Sequence, residues 1–438
     1  MNIGRKIYTP FALCFNKFAL FTPPRGPMPN RPMILASFLT FITLSNAQAI
    51  TLGESFNSAL LNNQADNINE SRLRQSFEEK RQGQGRYLPT LSIRGTYLKQ
   101  ENYDDQKTLG LNLTTSLYNG GRDKQLIENS ETNVQIAKNQ RQIDRVNLYM
   151  EVVEAYYNYV LSWNDLKNLD LLKKQSQERA DEIKKRVQIG RSRRGELLQA
   201  EAQLASVDAQ TSDGQGLLQQ NEAKFYILTG MAKNEKVELA FDEVKEEKTL
   251  DEYLSLALKR EDVKNRQLEI DRLNGQLNIS KAHYMPKLDL LSNYYALKEG
   301  GSSASRNSDW DIGLNLSIPL YEGGVSQALV REDLERKKTA EYQLTDYQKS
   351  VKIAVTTRYE MFRRYHDQIK KFEVALDKAK RSYEETVRDY RLGLVTNLDV
   401  LSSLNLYLSS KRDAEKTKIQ SVMNQKLLEA TAGIIPEV

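Results

Sequence analysis

Two stretches of the chain carry the same motif: Leu111–Gly121 has the sequence LNLTTSLYNGG, and Leu314–Gly324 has the sequence LNLSIPLYEGG. In both, alternating apolar residues indicate a β-strand, and the paired glycines indicate a turn at its end. A second match precedes each motif, since Tyr87-Leu-Pro-Thr-Leu91 corresponds to Tyr284-Met-Pro-Lys-Leu288. Landmarks that recur in the same order predict one structural unit present in two copies.

Long segments without glycine or proline follow both motifs, from Gly121 to Gly190 and from Gly324 to Gly393. Each predicts one helix of about 100 Å at 1.5 Å per residue. Such helices require a bundle or a coiled coil. Along the second helix, apolar and aromatic residues recur at steps of three and four residues, with Arg358 as the exception, which is the pattern of a coiled-coil packing seam. The seam comprises Leu344, Tyr347, Val351, Ala354, Arg358, Met361, Tyr365, Ile369, Phe372, Leu376, Ala379, Tyr383, Val387 and Tyr390.

The same landmarks predict the domain organisation. We expect a signal peptide at 1–49, a first repeat at 50–230, a linker at 231–249 and a second repeat at 250–438. The first repeat comprises a helix, a β-hairpin at 87–120, a long helix at 121–190 and a helix at 191–230. The second comprises a helix, a β-hairpin at 285–323, a long helix at 324–392 and a helix at 394–433. Thr51–Arg86 and Leu250–Tyr284 are each predicted as a single helix of about 35 residues.

The first 49 residues differ from the rest in charge. They hold five Lys or Arg and no acid, whereas residues 50–438 hold 58 charges of each sign. Met33–Leu44 is an apolar run with a basic flank before it and a small-x-small end, Ala47-Gln48-Ala49, after it, which is the pattern of a secretory signal peptide. The run is shorter than the roughly 20 residues that cross a bilayer. We expect cleavage after Ala49, with Met28 or Met33 as the true start.

The composition of the remaining chain argues against several classes of function. Its neutral charge argues against nucleic-acid binding. Cys14 is the only cysteine and lies in the signal segment, and His283 and His366 are the only histidines. With no nucleophile–base motif, phosphate loop or metal-ligand cluster in the sequence, we expect no enzyme, no metal site and no cofactor.

The alternating strands are candidates for a membrane-facing surface. A half-buried soluble sheet shows the same alternation, but the export signal favours outer-membrane strands. Four strands per chain would leave unpaired edges in lipid, so several chains must share one barrel. Two chains would give eight strands and three would give twelve, and we expect three. The residues predicted to face the membrane are Leu109, Leu111, Leu113, Ile312, Leu314, Leu316 and Ile318.

The predicted fold is therefore mainly α with a small β part, a long coiled-coil α-helical barrel joined to a transmembrane β-barrel. Residues 50–438 resemble the TolC-type outer-membrane efflux protein family. Leu320-Tyr-Glu-Gly-Gly324 and Tyr390-Arg-Leu-Gly-Leu-Val-Thr-Asn-Leu-Asp-Val-Leu401 carry the resemblance. It implies a homotrimer in outer-membrane lipid with its helices in the periplasm. It also implies an exit duct for a tripartite efflux pump or a type I secretion system.

The resemblance implies that this duct opens at its periplasmic tip. There a periplasmic adaptor protein and an inner-membrane transporter of the RND or ABC type would dock. The docking turns would comprise Gly190, Arg191, Arg193, Arg194, Leu392, Gly393, Leu394 and Thr396. Six basic residues lie within positions 184–194, which predicts an acidic patch on the adaptor or transporter. A solvated charged turn is the alternative.

By the same resemblance Asp399, Glu196 and Tyr390 would form the periplasmic aperture. Three copies of Asp399 would make a carboxylate ring that favours cations, and the Tyr390 hydroxyl would bond Glu196 in the closed state. Thr396 and Asp399 also match a helix capping box, and Tyr390 also fits a plain packing role. Val395 and Ser402 depart from the family pattern, which favours a gate with fewer bonds and one acid ring.

Two functional alternatives follow. The first is the channel, with drugs, metals or proteins as possible cargo because the inner-membrane partner largely selects the substrate. The second is an exported periplasmic coiled-coil scaffold without a pore. A channel would fractionate with outer membranes, whereas a scaffold would be soluble in the periplasm.

Overall fold

The computed structural model describes residues 50–99, 101, 105–233, 248–299 and 309–436. The predicted signal peptide and most of the predicted linker lie outside these residues. The first repeat contains α1 (Leu52–Asn62), α2 (Gln64–Gly85), β1 (Thr90–Leu98), β2 (Gln106–Asn119), α3 (Arg122–Gln188) and α4 (Arg194–Thr229). The second contains α5 (Leu250–Ala257), α6 (Glu261–Lys281), a 3₁₀ turn (Ala282–Tyr284), β3 (Lys287–Glu299), β4 (Trp310–Ser317), α7 (Val325–Leu392) and α8 (Asn397–Thr431).

The shorter helices pack along two long ones, α3 and α7. α3 has 67 residues and α7 has 68, so each is about 100 Å long. The shorter α2 and α4 pack along α3, while α6 and α8 pack along α7. α3 also contacts α6 and α8, which joins the two repeats side by side. The fold class expected from the sequence, mainly α with a small β part, is confirmed.

The first helix of each repeat is broken, contrary to the single helices predicted for Thr51–Arg86 and Leu250–Tyr284. Asn63 ends α1 and also begins α2, because its side-chain oxygen accepts a hydrogen bond from the Ala65 amide at 2.8 Å. In the second repeat, Arg260 adopts an extended backbone between α5 and α6. Its guanidinium donates to the Thr431 carbonyl at 2.6 Å, so this break is tied to the end of α8.

The main core lies midway along the helices. A cluster of Tyr149, Tyr156 and Tyr157 on α3 packs with Phe56 of α1 and Phe225 of α4. A second cluster joins α5 and the C-terminal end of α8 to the middle of α7. Aromatic side chains bury large areas and contribute strongly to such cores. These two clusters therefore hold the middle of the bundle together.

The four strands form one antiparallel sheet in the order β1-β2-β3-β4. β2 pairs with β3, so the hairpins of the two repeats make a single sheet. The register places Leu91, Leu113, Ser292 and Ile312 in one row across it. Because successive residues of a strand point to opposite faces, the apolar rows lie on one face of the sheet and the polar rows on the other.

Candidate functional site

Two tight turns end the long helices at the same end of the bundle. Gly190 and Gly393 have φ of 72° and 76°, a conformation that glycine adopts without steric cost. In each turn an amide bonds back around the helix end, from Arg191 to the Arg186 carbonyl at 2.8 Å and from Leu394 to the Asp389 carbonyl at 2.9 Å. These bonds satisfy carbonyls that a helix end otherwise leaves free.

The first turn is basic and exposed. Lys184, Lys185, Arg191, Arg193 and Arg194 all present exposed side chains. None of the five has an ion pair within the part of the chain that the structure describes. Arg186, the sixth basic residue, is instead paired with Glu182 at 2.9 Å. The first turn therefore concentrates uncompensated positive charge.

The second turn exposes leucines instead. Leu392 and Leu394 are 74% and 71% exposed, and Leu398 lies exposed in the first turn of α8. Thr396 caps α8, because its hydroxyl accepts from the Asp399 amide while the Asp399 carboxylate accepts from the Thr396 amide at 2.7 Å. The two turns thus have different surface chemistry.

Asp399 lies in this capping box and is fully exposed in the single chain. Hydrogen bonds from the Thr396 side chain and amide hold its pKa below the ordinary aspartate value. A depressed folded-state pKa means that the stabilisation is fully present above the unfolded-state pKa. It is lost as the pH falls through the folded-state pKa. The cap is therefore complete at neutral pH.

Glu196 occupies the equivalent position in the first turn. Its carboxylate accepts a short hydrogen bond from the Ser192 hydroxyl. The residue before α4 is Arg193, which makes no side-chain capping bond. The first turn accordingly lacks the capping box that the second turn has.

Tyr390 lies at the end of α7 against two arginines of α3. The Cζ atoms of Arg179 and Arg186 lie 4.0 and 4.6 Å from the centre of its ring. Cations this close to an aromatic ring are attracted to its π face. The expected bond from Tyr390 to Glu196 is not among the contacts of the described residues. In this chain the tyrosine contributes its ring to the contacts, and Glu196 is bonded by Ser192.

A network around Arg179 supports this contact. Glu182 accepts from Arg179 at 2.7 Å and pairs with Arg186 at 2.9 Å, which holds both guanidinium groups. Arg179 also donates to the side-chain oxygen of Asn397 at 2.6 Å. Because Tyr390 and Asn397 flank the second turn, α3 binds the chain on both sides of it. We call Tyr390, Arg179, Arg186, Glu182 and Asn397 the tip network.

The apolar face of the sheet is exposed at its outer strands. In β4, Ile312, Leu314 and Leu316 are each at least 60% exposed. Leu109 and Leu111 of β2 are also exposed, and Leu113 is half-buried. Ile318 is exposed too, but it lies just beyond the end of β4. Apolar residues in such number on one face indicate a surface that is covered in the working protein.

The opposite face of the sheet carries a polar ladder. The Asn112 amide donates to the Asn293 side chain at 2.6 Å, and the Asn293 amide donates to Asp311 at 2.7 Å. The ladder crosses β2, β3 and β4 in one row. It ends with a carboxylate on the outer strand.

Within the described residues, no helix has the length and apolar character needed to cross a membrane. The same residues contain no group of three or more His, Cys, Asp or Glu side chains that could hold a metal ion.

Comparison with known proteins shows the family of the chain. The family described as Outer membrane efflux protein matches residues 56–231 and 253–433.

The chain belongs to this family.

Among its relatives, Outer membrane protein TolC of Escherichia coli is 21% identical over 418 residues, 90% of this chain and 84% of that protein. Alkaline protease secretion protein AprF of Pseudomonas aeruginosa is 24% identical over 170 residues, 38% of this chain and 35% of that protein.

Solved structures confirm the fold. The outer membrane protein VceC of Vibrio cholerae has a TM-score of 0.77 at 18% identity, over 87% of this chain and 96% of that chain. The CmeC outer membrane channel of Campylobacter jejuni has a TM-score of 0.75 at 17% identity, over 93% and 94%. The protein is thus an outer-membrane efflux channel whose helical part lies in the periplasm, in a family of transport proteins rather than enzymes.

Proposed function

We propose that three copies of the chain form one exit duct for a tripartite efflux pump or a type I secretion system. The exposed apolar face of the four-stranded sheet is the observation that carries this proposal, because four strands from each of three chains would close a twelve-stranded barrel. Leu109, Leu111, Leu113, Ile312, Leu314 and Leu316 would contact lipid. Residues 1–49 would direct export and be removed.

The helical end with the two turns would be the periplasmic tip, where an adaptor and an inner-membrane transporter dock. The exposed basic side chains of the first turn support a partner with an acidic patch. Leu392 and Leu394 of the second turn support an apolar ridge beside that patch. A bipartite tip of this kind would orient the partner as well as bind it.

Asp399 would narrow the aperture in the trimer. In the single chain its carboxylate is exposed at the tip, and its lowered pKa keeps it ionised at neutral pH, the state in which acids attract cations. The capping bond to Thr396 does not conflict with this role, since a carboxylate has lone pairs to spare.

Single-channel conductance of the purified mature protein in planar bilayers tests the proposal. We expect discrete, cation-selective steps, and we expect Asp399→Ser to enlarge them or reduce their selectivity. Thr396→Ala is the matched control, because it removes the capping hydroxyl and keeps the carboxylate. Equal effects of the two variants would restrict Asp399 to capping. Folded, trimeric protein that never inserts would contradict the channel.

A further inference from the structure

The sheet has two open edges. Among the described residues β1 pairs only with β2, and β4 pairs only with β3. Every neighbouring pair is antiparallel, so β4 of one copy and β1 of the next can pair in the same alternating sense. Open edges are costly in lipid, and the occupant that continues both faces of this sheet is a second copy of the chain.

The register within the chain decides which face of the sheet each edge residue presents at such a junction. Ile93 lies on the same face as Ile312, because the rows through Leu91 and Leu113 connect them. If the apolar face is continuous from one copy to the next, the polar face is therefore continuous as well. On that polar face, Arg94 of β1 and Asp311 of β4 share one side of the extended sheet.

These two residues are the only charged side chains of their strands. Arg94 is exposed and lies opposite Gly110, which offers no side chain to contact. It has no ion pair among the described residues. Asp311 accepts hydrogen bonds from the Asn293 amide and from the Tyr295 hydroxyl, and no described cation is paired with it. Each edge strand thus carries one uncompensated charge, of opposite sign.

We propose that Arg94 of one copy forms an ion pair with Asp311 of the next, across the β4–β1 junction. The pair extends the polar ladder of Asn112, Asn293 and Asp311 by one strand, and it recurs three times in the trimer. Cross-strand pairs of opposite charge favour one register over its neighbours. The inference rests on the proposed trimer and adds the contact that fixes how the copies align.

Disulfide cross-linking tests the alignment, because the chain beyond residue 49 contains no cysteine. The double variant Arg94→Cys, Asp311→Cys should form disulfide-linked trimers under mild oxidation, since disulfides form between Cα atoms about 4.4–6.8 Å apart. The matched control is Arg94→Cys, Asn315→Cys. Asn315 lies on the same face, four residues or roughly 13 Å along β4. We expect at least tenfold less cross-linking in the control.

Charge reversal gives a second readout. Arg94→Asp and Asp311→Arg should each lower the temperature at which the trimer dissociates in detergent, and the double reversal should restore it. Stronger cross-linking through Asn315, or a double reversal no better than the single ones, would overturn the ion pair. In both cases the trimer itself would survive. A wild-type protein that is not trimeric would instead contradict the proposed duct.

Discussion

The turns at Gly190 and Gly393 occupy equivalent positions in the two repeats, 203 residues apart, yet they are built differently. The first is basic, uncapped by a side chain and held by contacts between α3 and α4. The second is apolar, capped by Thr396 and bound to α3 through Tyr390 and Asn397. The same hairpin is thus built twice in one chain, with exposed cations at one turn and with exposed leucines and contacts to α3 at the other.

The largest effect is expected from Tyr390→Val, which gives the second turn the residue that the first turn has at Val187. It removes two cation–π contacts, each worth about 0.5–2 kcal/mol. It also leaves Arg179, whose side chain is 11% exposed, without its aromatic partner. Amide hydrogen exchange over residues 385–400 should accelerate about tenfold, while exchange around Gly190 stays unchanged.

Tyr390→Phe separates the ring from the hydroxyl. Because the tip network uses the π face, the phenylalanine variant should exchange at nearly the wild-type rate. Rapid exchange in the phenylalanine variant would mean that a hydroxyl bond, such as the one expected to Glu196, holds this turn.

A smaller effect is expected from replacing Arg191, Arg193 and Arg194 together by Ser, which removes the charge that distinguishes the first turn. Recovery of the adaptor cross-linked to the channel in cell envelopes should fall several-fold, and the remainder should lose most of its salt dependence. The matched control replaces Arg363, Lys370 and Lys371 on the exposed side of α7, with the same change in net charge. Similar losses in both variants would argue against a specific acidic partner surface.

The smallest effects are expected from exchanging the caps. Thr396→Ala should destabilise the start of α8 by about 1 kcal/mol. Arg193→Thr should create a capping box with Glu196 and stabilise the start of α4 by a similar amount. Hydrogen exchange of the first-turn amides of α4 and α8 measures both. An unchanged α4 in the threonine variant would show that the bond from Ser192 to Glu196 already supplies the cap.

The succession of long helices and β-hairpins in this fold was predictable from local sequence signals. The spacing of Gly121, Gly190, Gly324 and Gly393 predicts two long helices, because the segments between the members of each pair contain neither glycine nor proline, the residues that most often end a helix. The family was predicted from a resemblance and the location at the outer membrane from the export signal and that resemblance, and both are confirmed. Side-chain roles at the tip are harder to predict, because they depend on contacts between distant segments.

Several contacts could not be predicted from the sequence, because they join segments that are far apart in the chain. Arg179 meets Tyr390 only because α8, which follows Tyr390 after the second turn, packs against both α3 and α7, and no motif connects residues 211 positions apart. The predicted seam of α7 includes Ala354, which is exposed, and omits Val355 and Phe362, which are buried. Val355 and Phe362 are buried in the cluster that α7 forms with α5, α6 and α8, which the periodicity of α7 alone does not show. Asn63 has no strong breaking signal, since asparagine occurs inside helices as well as at their caps.

The nearly equal lengths of α3 and α7 have a consequence for how this protein can change in size. With one residue of difference, the two helices are matched to about 1.5 Å. One additional heptad in α3 alone would move the first turn about 10 Å beyond the second. A longer protein keeps its two turns at the same height only if α3, α4, α7 and α8 each gain the same number of residues. The reach of the duct is therefore set in both repeats together, and neither can be adjusted alone.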